Sequence, residues 1–178
     1  MKKILISLIF LLISNSTVYA NSDDKPPSYE EMYSEWGYTS IDEALSEFET
    51  HFEKDLKLPL RVPPLAFTHQ FGKFSDTGDE INDSFEVEFV SDQQPENHYK
   101  IDVSSAKNRI NFTKRDVKDT YKLKDGTVAS HISFSSHFYG LVFEKDNWQY
   151  ILSVDKRVAN TVTPEILIEI ANSFESES

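Results

Sequence analysis

The segment from Ser130 to His137 combines four serines with two histidines. A serine hydrolase needs a serine hydroxyl within hydrogen-bond reach of a histidine ring. On an extended strand, a serine and a histidine two residues apart hold their side chains about 7 Å apart, too far for proton transfer. His131 and His137 would lie roughly 20 Å apart, so they could not share one metal ion. We interpret the segment as the polar solvent face of a strand, opposite Ile132 and Phe134, and expect no serine–histidine pair within reach.

Four acids, Asp76, Asp79, Glu80 and Asp83, concentrate oxygen ligands in a polar turn region. Their spacing does not match the twelve-residue calcium-binding loop. The chain also lacks the Gly-x-Ser-x-Gly, Walker, Gly-x-Gly-x-x-Gly and His-Glu-x-x-His motifs. We therefore predict no metal ion, no cofactor and no catalytic residue.

Charge is segregated along the chain. Residues 100–124, here called the basic segment, carry eight bases and three acids, a net charge of +5. The rest of the chain after residue 20 carries 8 bases and 27 acids, a net charge of −19. Such asymmetry makes the molecule dipolar and is the strongest indication in the sequence of a contact surface for an anionic ligand. The candidate binding residues are the bases of this segment that follow Lys100, namely Lys107, Arg109, Lys114, Arg115, Lys118, Lys122 and Lys124.

The basic segment has a competing explanation, internal pairing with acids elsewhere in the fold, and we favour it over the contact surface. In a hairpin of strands 84–90 and 98–103, Glu88 would face Lys100, a contact worth ~0.2 to 1 kcal/mol. Apolar residues alternate through part of the segment. We therefore expect several bases on the outer sheet face while four side chains point inward: Ile110, Phe112, Tyr121 and Leu123.

Composition excludes several classes of protein. A chain of 178 residues corresponds to about one domain, and 39% hydrophobic residues with 13% aromatic residues indicate a packed core. Collagen-like, coiled-coil and fully disordered chains are excluded. Because there is no cysteine, disulfides, thiol nucleophiles and cysteine metal sites are excluded too. A net charge of −12 argues against nucleic-acid binding.

The first twenty residues have the pattern of a secretory signal peptide. Lys2 and Lys3 precede an apolar run of ten residues that ends at Ile13, and Val18-Tyr19-Ala20 suits signal peptidase. A bilayer span needs about 20 apolar residues, so we predict cleavage after Ala20, secretion and no stable membrane insertion. Residues 21–27 are predicted to be a disordered leader, and residues 28–178 a single domain.

The remaining patterns predict an α+β fold. Helices are expected from Ser28 and from Ser40, each with an acid three residues later, and a closing helix from Thr163. Between them, alternating apolar residues predict an antiparallel sheet of about seven strands. Asp146-Asn147 suits a tight hairpin turn that pairs Phe143 with Tyr150. The apolar stripe of the first helix, which ends at Trp36, is expected to pack on its own domain rather than on a partner.

The C-terminal third resembles a known family. The hairpin Gly140-Leu141-Val142-Phe143-Glu144 and Trp148-Gln149-Tyr150-Ile151-Leu152, followed by the helix from Thr163-Pro164-Glu165, resembles an exported domain of unknown function. That family occurs in secreted proteins and lipoproteins of spore-forming Gram-positive bacteria and at the outer ends of some membrane-anchored regulatory proteins. It has no assigned catalytic residues to carry over, so the resemblance implies an exported location and assigns no site residue.

These patterns together predict a secreted, non-catalytic binding or regulatory module at the cell surface. Its candidate ligands are an anionic polymer or an acidic patch on another secreted protein. A hydrolase of wall or extracellular polymer stays open, because paired carboxylates cannot be singled out among thirty acids. A structural or inhibitory protein that contacts another secreted protein is the third alternative.

Overall fold

The computed structural model describes residues 26–78 and 80–174. Three α-helices are present in this part of the chain: α1 (Tyr29–Glu35), α2 (Ile41–Phe52) and α3 (Pro164–Ala171). Seven strands form one sheet: β1 (His69–Ser75), β2 (Ser84–Val90), β3 (Tyr99–Ser105), β4 (Val117–Lys122), β5 (Val128–Ile132), β6 (Phe138–Lys145) and β7 (Trp148–Asp155). The predicted α+β class, with two N-terminal helices and one C-terminal helix, is confirmed.

All neighbouring strands of the sheet are antiparallel, in the order β1-β2-β3-β7-β6-β5-β4. The sheet therefore consists of two meanders, β1–β3 and β4–β7, which meet where β3 pairs with β7. β1 and β4 form its two edges. The β1 edge is partly closed, because Thr39 and Gly72 exchange backbone hydrogen bonds of 2.8 and 2.9 Å.

The hairpin of β6 and β7 has the predicted register. Phe143 pairs with Tyr150 and Lys145 with Trp148. Asp146 and Asn147 adopt positive φ angles of 53° and 69°, which a two-residue turn matching the strand twist requires.

One face of the sheet is covered by α2 and α3 and holds the main core. Phe48 of α2 packs against Phe85 and Trp148, and Phe174, just after α3, packs edge-on against Tyr150. α2 lies very close to β1, because a Cβ added to Gly72 would fall 2.7 Å from the Cα of Ile41. A glycine at this position is therefore a packing requirement.

The opposite face is covered by α1 near β1 and β2. The predicted capping box is present: Ser28 and Glu31 exchange backbone and side-chain hydrogen bonds. Tyr33 is buried and stacks on Phe71 at a ring distance of 4.1 Å, whereas Trp36 is 57% exposed. The aromatic stripe of α1 thus packs on its own sheet through Tyr33, but not through its last member.

The prediction that Ile110 and Phe112 point inward from the sheet was wrong for Ile110. Ile110 and Phe112 lie in the loop between β3 and β4, and Ile110 is 56% exposed. The side-chain amide of Gln149 explains the difference: its oxygen accepts the Ile110 N–H at 2.8 Å, and its nitrogen donates to the Ile110 carbonyl at 3.1 Å. The loop backbone thereby gains the partners that a neighbouring strand would supply. Leu123 is buried as predicted, and Tyr121 is partly buried.

The predicted signal peptide and residues 21–25 of the predicted leader lie outside the described residues. Within the described part of the chain, each helix is too short to cross a bilayer.

Candidate binding surface

The seven predicted binding residues lie on the path from the end of β3 to the start of β5. Lys107 lies in a short 3-10 turn after β3 and Arg109 follows in the loop. Lys114 and Arg115 occupy the turn before β4, Lys118 and Lys122 lie on β4 itself, and Lys124 lies in the next turn. All seven side chains are on exposed residues.

The turn before β4 is held by Thr113 and Asp116. The backbone N–H and hydroxyl of Thr113 donate to Asp116 Oδ2 at 3.0 and 2.6 Å, and these bonds hold the pKa of Asp116 below its ordinary value. Lys114 and Arg115 lie between these two residues and are exposed. Lys118 bends back, because its ammonium donates to the Arg115 carbonyl at 2.8 Å.

Ion pairing differs among the bases. Arg109 pairs with Glu144 at 3.0 Å, and both side chains are about half exposed. Within the described residues, no carboxylate lies within 4.0 Å of the ammonium or guanidinium groups of the other six candidates. Lys100, at the start of the basic segment, lies close to three carboxylates. Internal pairing therefore explains Lys100 and Arg109 but not the rest.

β4 is an open edge of the sheet. It pairs only with β5, and its register shifts between Val117 and Asp119. A free strand edge exposes unpaired backbone groups, and lysines are a common protection against unwanted strand pairing. Lys118 and Lys122 on β4 fit that role, and they also place cations along the edge.

A groove of about 520 Å³ adjoins this edge. The loop after β3 forms one wall with Arg109, Ile110 and Phe112, while Val128 of β5 and Val142 of β6 lie on the sheet side. Ile110 and Val128 are more than half exposed. The groove is therefore a depression with a mixed polar and apolar lining beside a cationic edge.

The candidates do not all converge on this groove. Arg109 lines it, and Lys122 is the strand partner of Val128, a lining residue. Lys124 lies beside the end of α3, because its backbone N–H donates to the side-chain oxygen of Asn172 at 2.7 Å. Lys124 is therefore not part of the same surface.

The serine–histidine segment differs from its prediction in two respects. β5 ends at Ile132, because Ser135 Oγ accepts the backbone N–H groups of His137 and Phe138 and turns the chain into β6. His131 is half-buried on the helix-covered face, so the solvent-face interpretation was wrong for it. Burial lowers its pKa.

A serine and a histidine do come within reach, at neighbouring positions that the two-residue spacing did not consider. Ser136 Oγ lies 2.7 Å from His137 Nδ1. Both residues are exposed, and the Asp155 carboxylate, which the charge of His137 influences, is held by Arg157 at 2.6 Å. Among the described residues, no carboxylate hydrogen-bonds to His137, so the pair lacks the third group that orients a catalytic base.

Sequence reasoning missed a polar cluster between α1 and the sheet, here called the tyrosine–carboxylate cluster. Its members are Tyr33, Tyr38, Glu86, Glu88, His98, Lys100 and Asp102. The hydroxyls of Tyr33 and Tyr38 donate to Glu88 at 2.8 and 3.0 Å. Burial opposes the charge of Glu88, but His98 and the two tyrosines outweigh it and lower the pKa of Glu88 to about 2.

Lys100 is the central cation of that cluster. Its ammonium lies 2.9 Å from Glu86 and 2.8 Å from Asp102. Burial raises the pKa of Asp102, and Lys100 counteracts part of that rise. The alternation of acids on β2 with Lys100 and Asp102 on β3 was visible in the sequence, but Tyr33 of α1 and Tyr38 after it were not predictable partners.

The acidic turn between β1 and β2 meets a histidine of α2. His51 Nε2 lies 2.9 Å from Asp83 Oδ2, and His51 Nδ1 lies 3.9 Å from Asp76 Oδ2. Each of the three residues offers a ligand atom within 4.8 Å of the others. They are the described residues that could hold a metal ion together, and the sequence analysis considered only the acids.

No protein-family model, curated protein or solved structure matches this chain. The resemblance of the C-terminal third to the exported family stays a prediction.

Proposed function

We propose that this protein is a secreted, non-catalytic binding module whose ligand is a linear polyanion. The ligand would lie along the β4 edge and the turn before it, with Lys114, Arg115 and Lys122 as its main cationic contacts. The observation that carries the proposal is that, among the described residues, no carboxylate lies within 4.0 Å of the cationic groups of Lys114, Arg115 and Lys122, although the protein has a net charge of −12.

A local cationic surface can act in spite of the overall charge. Charges separated by more than about 8 Å are largely screened at physiological ionic strength. A flexible polymer can follow the edge of β4 without approaching the acidic α2 face. A long nucleic acid duplex would be repelled by that face, and we do not propose nucleic acid as the ligand.

The groove argues for binding rather than hydrolysis. Cleavage of a glycosidic bond by the usual route needs two carboxyl groups on either side of the bond. Among the residues that line the groove, Glu144 is the only acid, and it is paired with Arg109. A polymer hydrolase is therefore the weaker alternative.

The experiment compares two charge-matched variants of the chain from residue 21 onward. In the test variant Lys114 and Arg115 are both changed to Gln; Lys118 is kept because it contacts the backbone. In the control Asn160 and Thr161, two exposed residues of another loop, are both changed to Glu. Both variants lower the net charge by two. Binding of sodium polyphosphate and of poly-glutamate is measured by calorimetry at two salt concentrations.

The test variant should bind about tenfold more weakly than the parent and with a smaller salt dependence, which corresponds to about 0.7 kcal/mol per lost contact. The control should bind like the parent. Equal weakening in both variants would show that binding depends on net charge and not on contacts to Lys114 and Arg115. Absence of binding to either polymer by the parent would overturn the proposal and favour a folded protein partner.

A further inference from the structure

We infer that His51, Asp76 and Asp83 form a binding site for a divalent transition-metal ion, with Zn²⁺ as the reference ion. This site is separate from the basic edge and does not depend on the function proposed above.

The separation of the two inner ligand atoms allows either a hydrogen bond or a shared metal ion. His51 Nε2 and Asp83 Oδ2 are 2.9 Å apart and buried, and neither atom has a well-aligned hydrogen bond. Two ligand atoms about 2.1 Å from one ion are about 3.4 Å apart at the tetrahedral angle and about 3.0 Å apart at a right angle, so a bound ion requires only a small adjustment of the pair. The pair is placed as ligands of one ion would be.

The fold holds Asp83 so that one carboxylate oxygen is hydrogen-bonded and the other faces His51. The residue is fully buried. Its Oδ1 accepts the backbone N–H of Thr77 at 2.6 Å and the Thr77 hydroxyl at 2.8 Å, while Oδ2 faces His51. Such outer-shell hydrogen bonds orient metal ligands. A buried carboxylate oxygen without a partner is costly, and a cation removes that cost.

The histidine ring is held in place as well. His51 lies near the end of α2 and packs edge-on against Phe52 and at a tilt against Phe74, with ring centroids 4.8 and 5.1 Å away. Asp76 is half exposed at the surface side, and an open depression of about 550 Å³ leads to it. Solvent can therefore reach the site and complete the coordination with water.

The ligand set selects the class of ion. Calcium and magnesium prefer all-oxygen sites, whereas an imidazole nitrogen with two carboxylates suits zinc and its first-row neighbours. A bound ion would tie the β1–β2 turn to the end of α2. The competing occupant is a proton: a protonated His51 beside Asp83 would form a simple ion pair.

The test is Zn²⁺ titration of the chelator-treated chain from residue 21 onward, by calorimetry and by the shift of the melting temperature. The parent should bind one equivalent and melt at a higher temperature with Zn²⁺. His51→Gln and Asp83→Asn should each weaken binding at least tenfold and abolish the thermal shift. His137→Gln and Asp55→Asn, at an exposed histidine and an exposed acid elsewhere, should bind like the parent.

Asp76→Asn keeps the test decisive if the buried variants fail to fold, because Asp76 is half exposed. It should weaken Zn²⁺ binding about tenfold while the metal-free protein keeps its melting temperature. Absence of binding by the parent, or equal affinity in the parent and Asp76→Asn, would overturn the site. NMR signals of the His51 imidazole that respond to pH but not to Zn²⁺ would show an ion pair of protonated His51 with Asp83 in place of a metal site.

Discussion

Lys100 and Lys122 both belong to the basic segment, but they lie in different environments. Lys100 lies on β3, inside the sheet, and its side chain is 25% exposed among Glu86, Glu88 and Asp102. Lys122 lies on the edge strand β4, and no carboxylate of the described chain approaches it within 4.0 Å. Whether a lysine of the basic segment has carboxylate partners therefore depends on its position in the sheet.

The difference follows from solvation. A cation inside a sheet loses its contacts with water. It stays charged only where carboxylates take the place of that water. A lysine on an edge strand keeps its ammonium in water and needs no partner. Two explanations competed for the whole basic segment, internal pairing and a contact surface. Ion pairing among the described residues accounts for Lys100 and Arg109 but not for the other six bases.

The largest effect is expected at Lys100. Lys100→Ala should lower the free energy of unfolding by about 3 kcal/mol, because it leaves Glu86 and Asp102 close together without their cation. Lys122→Ala should change it by less than about 0.5 kcal/mol. Urea unfolding of both variants at pH 7 measures the contrast, and similar values for the two would remove the distinction between centre and edge.

A somewhat smaller effect concerns pH. The pKa of Glu88 is about 2 in the folded protein and 4.5 ordinarily, so the folded state keeps this charge while the unfolded chain takes up a proton. Stability from Glu88 is therefore present above pH 4.5 and is lost as the pH falls towards 2. The loss should be about 2 to 3 kcal/mol.

Glu88→Gln isolates that contribution. The variant should be less stable than the parent at pH 7, and the difference should shrink steadily between pH 4.5 and pH 2. Glu47→Gln, on the exposed side of α2, is the matched control and should track the parent throughout. A difference for Glu88→Gln that did not vary with pH would show that its hydrogen bonds do not depend on its charge.

A still smaller effect than that of Glu88 is expected for Arg109 and Glu144, a pair that lies between the buried Lys100 and the unpaired Lys122 in its exposure and pairing. They are paired at 3.0 Å but about half exposed, so a double-mutant cycle to Ala should give a coupling free energy of about 0.2 to 1 kcal/mol. A coupling free energy as large as the loss expected for Lys100→Ala would show that this half-exposed pair stabilises the fold as strongly as the buried ion pairs do.

The parts of the fold that were predictable depend on local chemistry. Asp146-Asn147 set the register of the β6–β7 hairpin because both residues tolerate positive φ, and Ser28 with Glu31 marked the start of α1. The incorrect strand near Ile110 has a distant cause, the amide of Gln149, which satisfies the loop backbone. No periodicity within the loop could reveal that partner.

The sites were less predictable than the fold for the same reason. The bases of β4 were visible because they lie close together in sequence. His51 and Asp83 come from a helix and from a turn beyond β1, and Tyr33 reaches Glu88 from a helix on the other face. Each of these contacts depends on where a helix lies on the sheet, which the sequence pattern does not specify.

The meeting of the two meanders at β3 and β7 has a consequence for how the chain folds. The β1–β3 and β4–β7 hairpins join residues that are close in sequence, so each meander can form with little loss of loop entropy. Pairing Ser105 with Trp148 instead requires the chain to travel out to β4 and back before the central seam can close. High sequence separation of this kind slows folding. Docking of two preformed meanders is therefore the expected rate-limiting step, and changes along the β3–β7 seam should act on the folding rate more than changes at the β4 edge.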